Sequence, residues 1–561
     1  MTTSETAAAG ATSTLDGPQP GTAPAPAPES HYDVIVIGSG MGGLSTASIL
    51  AQVGGKRVLV LEAHFKLGGF LHSFQRHGYL WDPGVHYVGE MEEGTLTRQC
   101  MDLVTGGRVQ WHKLDDRFER FVFPDGTFDV PSDPKRYKAK LKELFPTEAN
   151  SVDRWFKDLK SAQSWSFRWF YAKEFPEPVS SMVAAGRKLA MTRTEVQLNR
   201  RFADPVLKAI LAGQWPDYGT PPATSAFGVH AIVASDFQNG GWYPVGGSHQ
   251  IVAGAVAQIE QHGGRCLARH PVEKIITRGN RAVGVVANHR GERRQFYAPR
   301  IVSDAGVDIT FGQMLDPALG QRERARLVRT EPGTSAAILF LGLNDDPARH
   351  GFENCNYWLY DGLDHDRKAD ASRFPPEING GYLSFGSLRN PTQTSHTAQI
   401  VTFADASTWE GLGGPDWKRR GDDYERAKAR YAEALLDFVE QRVPGLRDLI
   451  AYQELATPLT FKSMSNHQGG QVYGRPCTPD RLARNQFSIG TSVRRLYLTG
   501  TDLVVPGVNS ALMIGVMTAG KLLAFGTPRV MHRAFTPRHD GAKTTTKKKA
   551  KKTEKAEAAG R

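Results

Sequence analysis

The chain has 561 residues, of which 40% are hydrophobic and 23% are charged, so it is long enough for more than one domain and is not a fully disordered chain. Its formal net charge of +11 favours acidic partners such as phosphate-bearing cofactors or anionic lipid. The 4 cysteines are too few and too scattered for a disulfide framework or a zinc site, and we predict no metal.

The N-terminal region combines a low-complexity arm with a strand–turn–helix–strand pattern. Residues 1–31 are mainly Ala, Pro, Thr, Ser and Gly, which predicts a disordered arm without a secretory signal and hence a cytoplasmic protein. Residues 32–37 and 57–61 are predicted to be buried parallel strands, and residues 44–52 a helix. Between the first strand and the helix lies a G-x-G-x-x-G loop, at residues 38–43.

This loop predicts a dinucleotide site. Gly38 permits the tight turn, Gly40 lets the backbone approach a pyrophosphate, and Gly43 lets helix and strand pack closely. The N-terminus of the following helix attracts the phosphates. Glu62, on the end of the second strand, is placed to accept hydrogen bonds from ribose hydroxyls and disfavours a 2′-phosphate.

Residues 155–175 are unusually rich in aromatic side chains with basic residues among them. Two interpretations stay open. The aromatic residues form core beneath a helix, or they form a monotopic membrane patch in which rings lie at the headgroup level and basic residues meet lipid phosphates.

The second half of the chain supplies further short elements. Residues 251–262 have helical apolar spacing, and strands are predicted at 265–268, 273–277, 282–288, 294–297, 300–303 and 496–499. Residues 503–520 carry no charge, but their glycine and proline content and minimal length predict a buried helix, and we expect no transmembrane span.

The C-terminal residues 536–561 form a lysine-rich tail that is predicted to be disordered. The tail is either solvated and self-repelling or an electrostatic contact to anionic lipid. Because no aromatic residues are interleaved with the lysines, specific nucleic-acid recognition is not predicted.

Gly68 and Gly69 follow Glu62 by six and seven residues. Together with the glycine loop they belong to a series of segments at residues 33–43, 62–69, 71–74, 81–89, 215–219, 240–248, 456–460, 472–474 and 496–502. These motifs, in this order, resemble the phytoene desaturase-related flavoproteins and, among them, the retinol saturase and carotenoid isomerase branch. Phe70 stands where many relatives carry arginine, so an arginine contact to the phosphates is not expected.

The resemblance implies an α/β fold with FAD as cofactor. A Rossmann-like FAD-binding domain of the three-layer ββα type is expected from residues 32–90, 235–310 and 490–527. A mixed α+β substrate-binding domain is expected from residues 91–234 and 311–489.

The resemblance also implies which residues contact FAD. Val272 is expected to contact the adenine through its backbone, and Gly500 and Asp502 to reach the pyrophosphate and the ribityl chain. Val508 and Asn509 are expected at the helix that faces the isoalloxazine. The residues expected to hold the ADP half and the pyrophosphate are Gly38, Ser39, Gly40, Met41, Gly42, Gly43, Glu62, Gly68 and Gly69.

His86 and Tyr87 are the predicted acid–base residues. They follow the Gly68-Gly69 pair on the segment that the family brings toward the flavin. Saturation of an alkene needs a hydride and a proton, and a histidine can donate a proton near neutral pH. The alternative is that His86 orders a loop or forms a hydrogen bond to the cofactor.

These features predict an FAD-dependent oxidoreductase that saturates or desaturates a C=C bond of a carotenoid-like, retinoid-like or other lipophilic polyene by hydride transfer at flavin N5. A redox-neutral cis–trans carotenoid isomerase and a non-catalytic FAD-bearing lipid-binding protein are the alternatives. A lipid-soluble substrate favours peripheral membrane contact. The electron partner stays open, because the glycine pairs at residues 240–241 and 246–247 lack the context of a second dinucleotide motif.

Overall fold

The computed structural model describes residues 30–175, 186–328, 333–414, 417–484, 487–523 and 530. The lysine-rich tail at 536–561 and all but the last two residues of the N-terminal arm lie outside these ranges. At the end of that arm, His31 forms a bridge to Tyr297, one residue before the first predicted strand.

The described chain combines strands and helices. The strands are β1 Val34–Ile37, β2 Val58–Leu61, β3 Phe74–Arg76, β4 Tyr79–Trp81, β5 Trp111–Lys113, β6 Arg117–Phe123, β7 Gly126–Pro131, β8 Trp242–Pro244, β9 Arg265–Leu267, β10 Val272–Thr277, β11 Ala282–His289, β12 Glu292–Tyr297, β13 Ile301–Ser303, β14 Ser335–Leu343, β15 Asn356–Tyr360, β16 Gly380–Phe385, β17 Thr397–Ala404, β18 Ile450–Ala456 and β19 Leu496–Leu498. The α-helices are α1 Met41–Gln52, α2 Leu96–Thr105, α3 Pro134–Leu144, α4 Ala149–Glu174, α5 Arg187–Ala190, α6 Thr194–Arg201, α7 Pro205–Ala212, α8 Phe227–Asp236, α9 His249–Gln261, α10 Val307–Ile309, α11 Gln321–Leu327, α12 Gly386–Arg389, α13 Asp422–Glu440, α14 Pro458–Ser465, α15 Pro479–Arg484 and α16 Val508–Leu522.

The first domain is built on a parallel five-stranded sheet with the order β19-β13-β1-β2-β9. Helices α1, α9 and α16 cover one face of this sheet, and helix α2, which lies beyond residue 90, packs into the same core. The antiparallel sheet β10-β11-β12 covers the other face. The predicted three-layer ββα arrangement of the α/β fold is therefore confirmed.

Helix α1 begins at Met41, three residues before the predicted start. Gly40 is its N-cap residue, with extended backbone angles, so the glycine loop passes into the helix without an intervening linker. All twelve residues of α1 are buried, because the helix is enclosed between the sheet and α16. The buried helix predicted in residues 503–520 is α16, and no helix in the described part of the chain is long and apolar enough to span a membrane.

The second domain is built on a mixed seven-stranded sheet with the order β18-β14-β17-β16-β15-β6-β7. Helix α13 packs on one face of this sheet, and β6 and its neighbours pack against α4 and α8 on the other. In α4, Trp155 and Trp165 are almost completely buried, whereas Phe167 is 48% exposed. The larger rings of residues 155–175 thus belong mainly to the core.

Candidate functional site

The glycine loop after β1 is closed to side chains by neighbouring backbone. Gly38 has a left-handed φ of +95° and donates its N–H to the Leu61 carbonyl at 2.8 Å. A Cβ on Gly43 would lie 2.5 Å from the Gly38 carbonyl oxygen, and one on Gly42 would lie 2.8 Å from the Gly500 nitrogen. Only glycine fits where helix α1 meets the sheet, as the motif predicts.

Glu62 is held rigidly at the end of β2. Its carboxylate accepts from the Ser39 N–H at 2.9 Å, the Ser39 hydroxyl at 2.6 Å and the His64 N–H at 2.8 Å. The Ser39 oxygen in turn accepts from the Gly68 N–H at 2.8 Å. The structure therefore brings the loop, the acid and the Gly68-Gly69 pair together, and it leaves lone pairs on Glu62 for ribose hydroxyls.

A segment near the C-terminus completes the site. We call the glycine loop, Glu62, the Gly68-Gly69 pair and residues 500–502 the phosphate cradle. Gly500 follows β19 with a φ of +95°, and Asp502 accepts from the Val307 N–H at 3.0 Å. A Cβ on Gly500 would lie 2.7 Å from a carboxylate oxygen of Asp304, the residue after β13. Sequence reasoning missed Asp304, whose only signal was a charged residue at the end of a strand of the same sheet.

Asp304 lies half-buried among the glycines of the cradle. Burial raises the pKa of this carboxyl to about 7, and the negative charges of Glu62 and Asp502 act in the same direction. The backbone N–H groups of Gly43 and Gly40 favour its ionised form and offset part of that shift. The cradle thus presents backbone N–H groups to an anion and already contains one titratable carboxyl group, that of Asp304.

Val272 and Asn509 mark the two ends of the expected cofactor. Val272 opens β10, two residues after His270, whose N–H donates to the Glu62 carbonyl at 2.8 Å. Asn509, in the first turn of α16, donates from Nδ2 to the Gly89 carbonyl at 3.0 Å, and Val508 precedes it as the first residue of the helix. Within the described residues the buried Oδ1 of Asn509 has no hydrogen-bond partner.

These observations fit a flavin dinucleotide. The backbone cradle and Glu62 suit a pyrophosphate and a ribose, and Asn509 presents an unused acceptor at the start of α16. Met41 is buried as the first residue of α1, so it contributes backbone to the cradle.

His86 is neutral at physiological pH in this environment. Burial, and secondarily the charge of Arg389, lowers the pKa of the imidazole to about 3. The Arg389 guanidinium donates to the His86 carbonyl, and the His86 ring lies 5.0 Å from that of Tyr382. The buried Nδ1 of His86 has no hydrogen-bond partner in the part of the chain that the structure describes.

Tyr87 lies between two carboxyl groups that sequence reasoning did not single out. Its hydroxyl is 2.9 Å from Oε1 of Glu119 on β6 and 2.7 Å from Oδ2 of Asp217. Gln214 donates to the second Glu119 oxygen at 2.9 Å. We call Tyr87, Glu119 and Asp217 the acid cluster.

The acid cluster holds a proton in addition to that of the tyrosine. The Tyr87 hydroxyl has one hydrogen for two carboxyl oxygens, so a proton on one of the carboxyls, donated to the tyrosine oxygen, satisfies all three groups. Burial raises the pKa of Glu119 to about 7, and burial together with the Glu119 charge raises that of Asp217 well above its ordinary value. Tyr87 stays protonated, because burial and both carboxyls raise its pKa.

A short segment joins the acid cluster to the expected flavin end. Tyr87 lies two residues before Gly89, whose carbonyl accepts from Asn509. A Cβ on Gly89 would lie 2.2 Å from the Asp236 carbonyl oxygen, and the Tyr87 ring stacks on Phe237 at 4.2 Å. The backbone from residue 87 to residue 89 therefore connects helix α16 with β6 of the second domain.

Comparison with known proteins places this geometry in a family. Residues 41–502 match the model for flavin-containing amine oxidoreductases. Among curated proteins, the chain is 30% identical over 521 residues to an all-trans-retinol 13,14-reductase of Danio rerio, covering 88% of this chain and 86% of that protein. It is 27% identical over 524 residues to prolycopene isomerase 2 of an Oncidium hybrid cultivar, covering 88% and 84%.

Solved structures support the fold. The cyclohexylamine oxidase of Brevibacterium oxydans superposes with a TM-score of 0.57 at 16% identity, covering 90% of this chain and 99% of that one. At this level of identity the likeness concerns the architecture, which combines a dinucleotide-binding domain with a sheet-based second domain.

Proposed function

Because the chain belongs to the flavin-containing amine oxidoreductase family, we propose that this flavin-dependent oxidoreductase uses FAD to saturate a C=C bond of a retinoid or a related lipophilic polyene. The relatives named all-trans-retinol 13,14-reductases supply the reaction class. FAD suits the site better than a mononucleotide, because Glu62 and the glycine loop are matched to a ribose and a pyrophosphate.

The acid cluster is the observation that carries this proposal. Saturation of an alkene adds a hydride to one carbon and a proton to the other. The reduced flavin supplies the hydride when it is bound, and a two-electron donor from outside the chain restores it. Glu119 and Asp217 hold the proton near neutral pH, and the Tyr87 hydroxyl passes it between them.

The predicted role of His86 as the acid is replaced in this proposal. An imidazole whose pKa is lowered to about 3 carries no acidic proton at pH 7, whereas a carboxyl whose pKa is raised does. His86 instead contributes a neutral ring beside that of Tyr382, and its buried Nδ1 has no hydrogen-bond partner among the described residues. Tyr87 keeps the acid–base role predicted for it, acting together with Glu119 and Asp217.

The surroundings of the acid cluster suit an apolar substrate. Tyr360 and Tyr382 are buried beside it, and Tyr473 is half-buried. Burial raises the pKa of all three phenols, so they stay uncharged. These neutral rings exclude water and so strengthen the electrostatic interactions of the acid cluster, and Arg389, which donates to the Tyr382 hydroxyl, is the charged side chain that borders them.

An anaerobic half-reaction tests the proposal. Purified protein loaded with FAD is reduced chemically and mixed with all-trans-retinol, and flavin absorbance and product mass are followed. We expect the oxidised flavin spectrum to return as a product heavier by two hydrogen atoms appears. A flavin that stays reduced with retinol, other retinoids and carotenoids alike would overturn the proposal. Reduction of the oxidised protein by a primary amine would indicate amine oxidation instead.

A cis–trans isomerase is the second candidate, favoured by the similarity to prolycopene isomerases. Isomerisation also needs water to be excluded from the site, but it involves no net transfer of hydrogen to the substrate. A product of unchanged mass, formed only after flavin reduction and with the flavin still reduced at the end, would support this alternative over saturation.

Peripheral membrane contact is a further part of the proposal, because a lipophilic substrate has to be taken from lipid. The large rings of α4 are buried or half-buried except that of Phe167, which is the strongly exposed ring among the described residues of this helix. We expect Phe167→Ser to weaken binding to anionic vesicles in flotation assays, and equal binding would remove α4 from the contact.

A further inference from the structure

We propose that Asp304 takes up one proton when the pyrophosphate of FAD binds, so that the affinity for the cofactor falls as the pH rises above neutrality. The inference rests on the proposal that the flavin is FAD. It concerns cofactor binding alone and is independent of the substrate.

The Asp304 carboxyl lies against the glycine loop, which is the part of the chain expected to bind an anion. A Cβ on Gly40 would be 2.6 Å from Oδ2 of Asp304, one on Gly42 2.8 Å from Oδ1, and one on Gly43 2.9 Å from Oδ2. Its position comes from β13, which pairs with β1 so that Ser303 lies beside Ile37. The carboxyl therefore lies against the surface that a pyrophosphate approaches in this class of loop.

Negative charge already surrounds this carboxyl. Glu62 on the end of β2 and Asp502 before α16 both act on Asp304 to disfavour its ionised form. His467, which approaches the chain at Gly306, adds no positive charge near pH 7, because burial lowers its pKa.

Arg475, which follows Gly474 beside Asp502, already has a carboxylate partner. Arg475 forms an ion pair with Asp308 in α10, four residues after Asp304. An ionised Asp304 beside the glycine loop would therefore add to the negative charge that a doubly charged pyrophosphate meets on binding there, and like charges in a partly buried site repel. A protonated carboxyl removes that repulsion and can donate a hydrogen bond to a phosphate oxygen.

The sign of the pH dependence follows from linkage. Without FAD the pKa of Asp304 is about 7, and the bound pyrophosphate raises it further. Below pH 7 the carboxyl is already protonated and affinity is constant. Above pH 7 each molecule of FAD must bring one proton with it, so the dissociation constant rises by up to about tenfold per pH unit until the pKa of the bound form is reached.

The experiment measures the FAD dissociation constant of the full-length apoprotein by flavin fluorescence between about pH 6 and pH 9. We expect a constant value on the acid side and a rise of about tenfold per unit on the alkaline side. Asp304→Asn should bind with constant affinity over the whole range and more tightly than the wild type at the alkaline end. Asp116→Asn, at an exposed ion pair with Arg136, is the matched control.

Three results would overturn the inference: constant wild-type affinity over this range, an unchanged slope in Asp304→Asn, or weaker binding of that variant at every pH. ADP-ribose, which carries the pyrophosphate without the isoalloxazine, should reproduce the slope in competition. Protein that binds neither FAD nor ADP-ribose at any pH would refute the cofactor assignment itself, which distinguishes the two failures.

Discussion

The phosphate cradle and the acid cluster are built from different chemical groups. The phosphate cradle presents backbone N–H groups and the absence of side chains, because a Cβ at Gly42 or Gly43 would collide with neighbouring backbone. The acid cluster consists of side-chain oxygens from three separate segments, enclosed by aromatic rings. We therefore expect an added side chain in the cradle to impair FAD binding. In the acid cluster, exchange of one carboxyl oxygen for an amide nitrogen should instead impair proton transfer.

The largest effect is expected from adding a side chain to the cradle. Gly40→Val should weaken FAD binding at least about 100-fold, because the new side chain would collide with the Asp304 carboxyl and distort the loop that is expected to bind the pyrophosphate. Fluorescence titration measures the loss, and Gly312→Val is the control, since a Cβ at Gly312 meets no atom within 4 Å. A Gly40→Val protein that purifies with a full complement of flavin would refute the assigned loop.

Exchanging one oxygen in the acid cluster should affect chemistry and spare binding. Asp217→Asn is expected to slow C=C reduction about 100-fold, because an amide cannot release the proton, while FAD affinity stays within about twofold. Glu119→Gln should behave similarly, and the double variant should be little slower than either single one, because the residues act as a unit. Rapid mixing of reduced protein with retinol measures the rate.

The control for this pair is Asp153→Asn, at an exposed ion pair of α4. If Asp217→Asn and Glu119→Gln both reduce retinol at the wild-type rate, the proton comes from elsewhere and the cluster is only a structural feature.

The acid cluster also predicts a pH profile. A carboxyl with a raised pKa is protonated below that value and loses its proton above it, so the rate of C=C reduction should fall by up to about tenfold per pH unit above about pH 7. Glu119→Gln should move or abolish this limb. A rate that increases with pH would contradict a proton held on carboxyl groups.

The smallest effect is expected at His86. Because its imidazole is neutral, His86→Gln should slow C=C reduction by less than about tenfold, with FAD retained and the pH profile unchanged. A loss larger than that of Asp217→Asn, together with a changed pH profile, would return the role of the acid to the histidine.

The two regions also differ in how far the sequence predicts them. The loop, helix α1 and Glu62 lie within thirty residues, so a local motif identifies their geometry. Asp304 directly follows the strand predicted at residues 300–303, but its proximity to the loop depends on the pairing of β13 with β1. Tyr87 was predicted as an acid–base residue from a resemblance, without its partners.

Those partners are invisible in the linear sequence for a physical reason. Glu119 occupies an ordinary position on β6, and Asp217 closes a short turn 130 residues beyond Tyr87. Only the packing of β6 against that turn makes two carboxyls share one hydroxyl. Burial then shifts their pKa values, and burial is a property of the folded chain.

The strand order of the first sheet has a consequence for biosynthesis. The outer strand β19 pairs with β13, and Gly500 is the second residue after it, so one wall of the cradle is made by residues 496–500 of a chain of 561. When the first 300 residues of the nascent chain have left the ribosome, the glycine loop has been made but residues 496–500 have not. FAD is therefore expected to bind only after translation is nearly complete. Truncated products of premature termination should lack flavin, and they should be bound by chaperones or degraded by proteases.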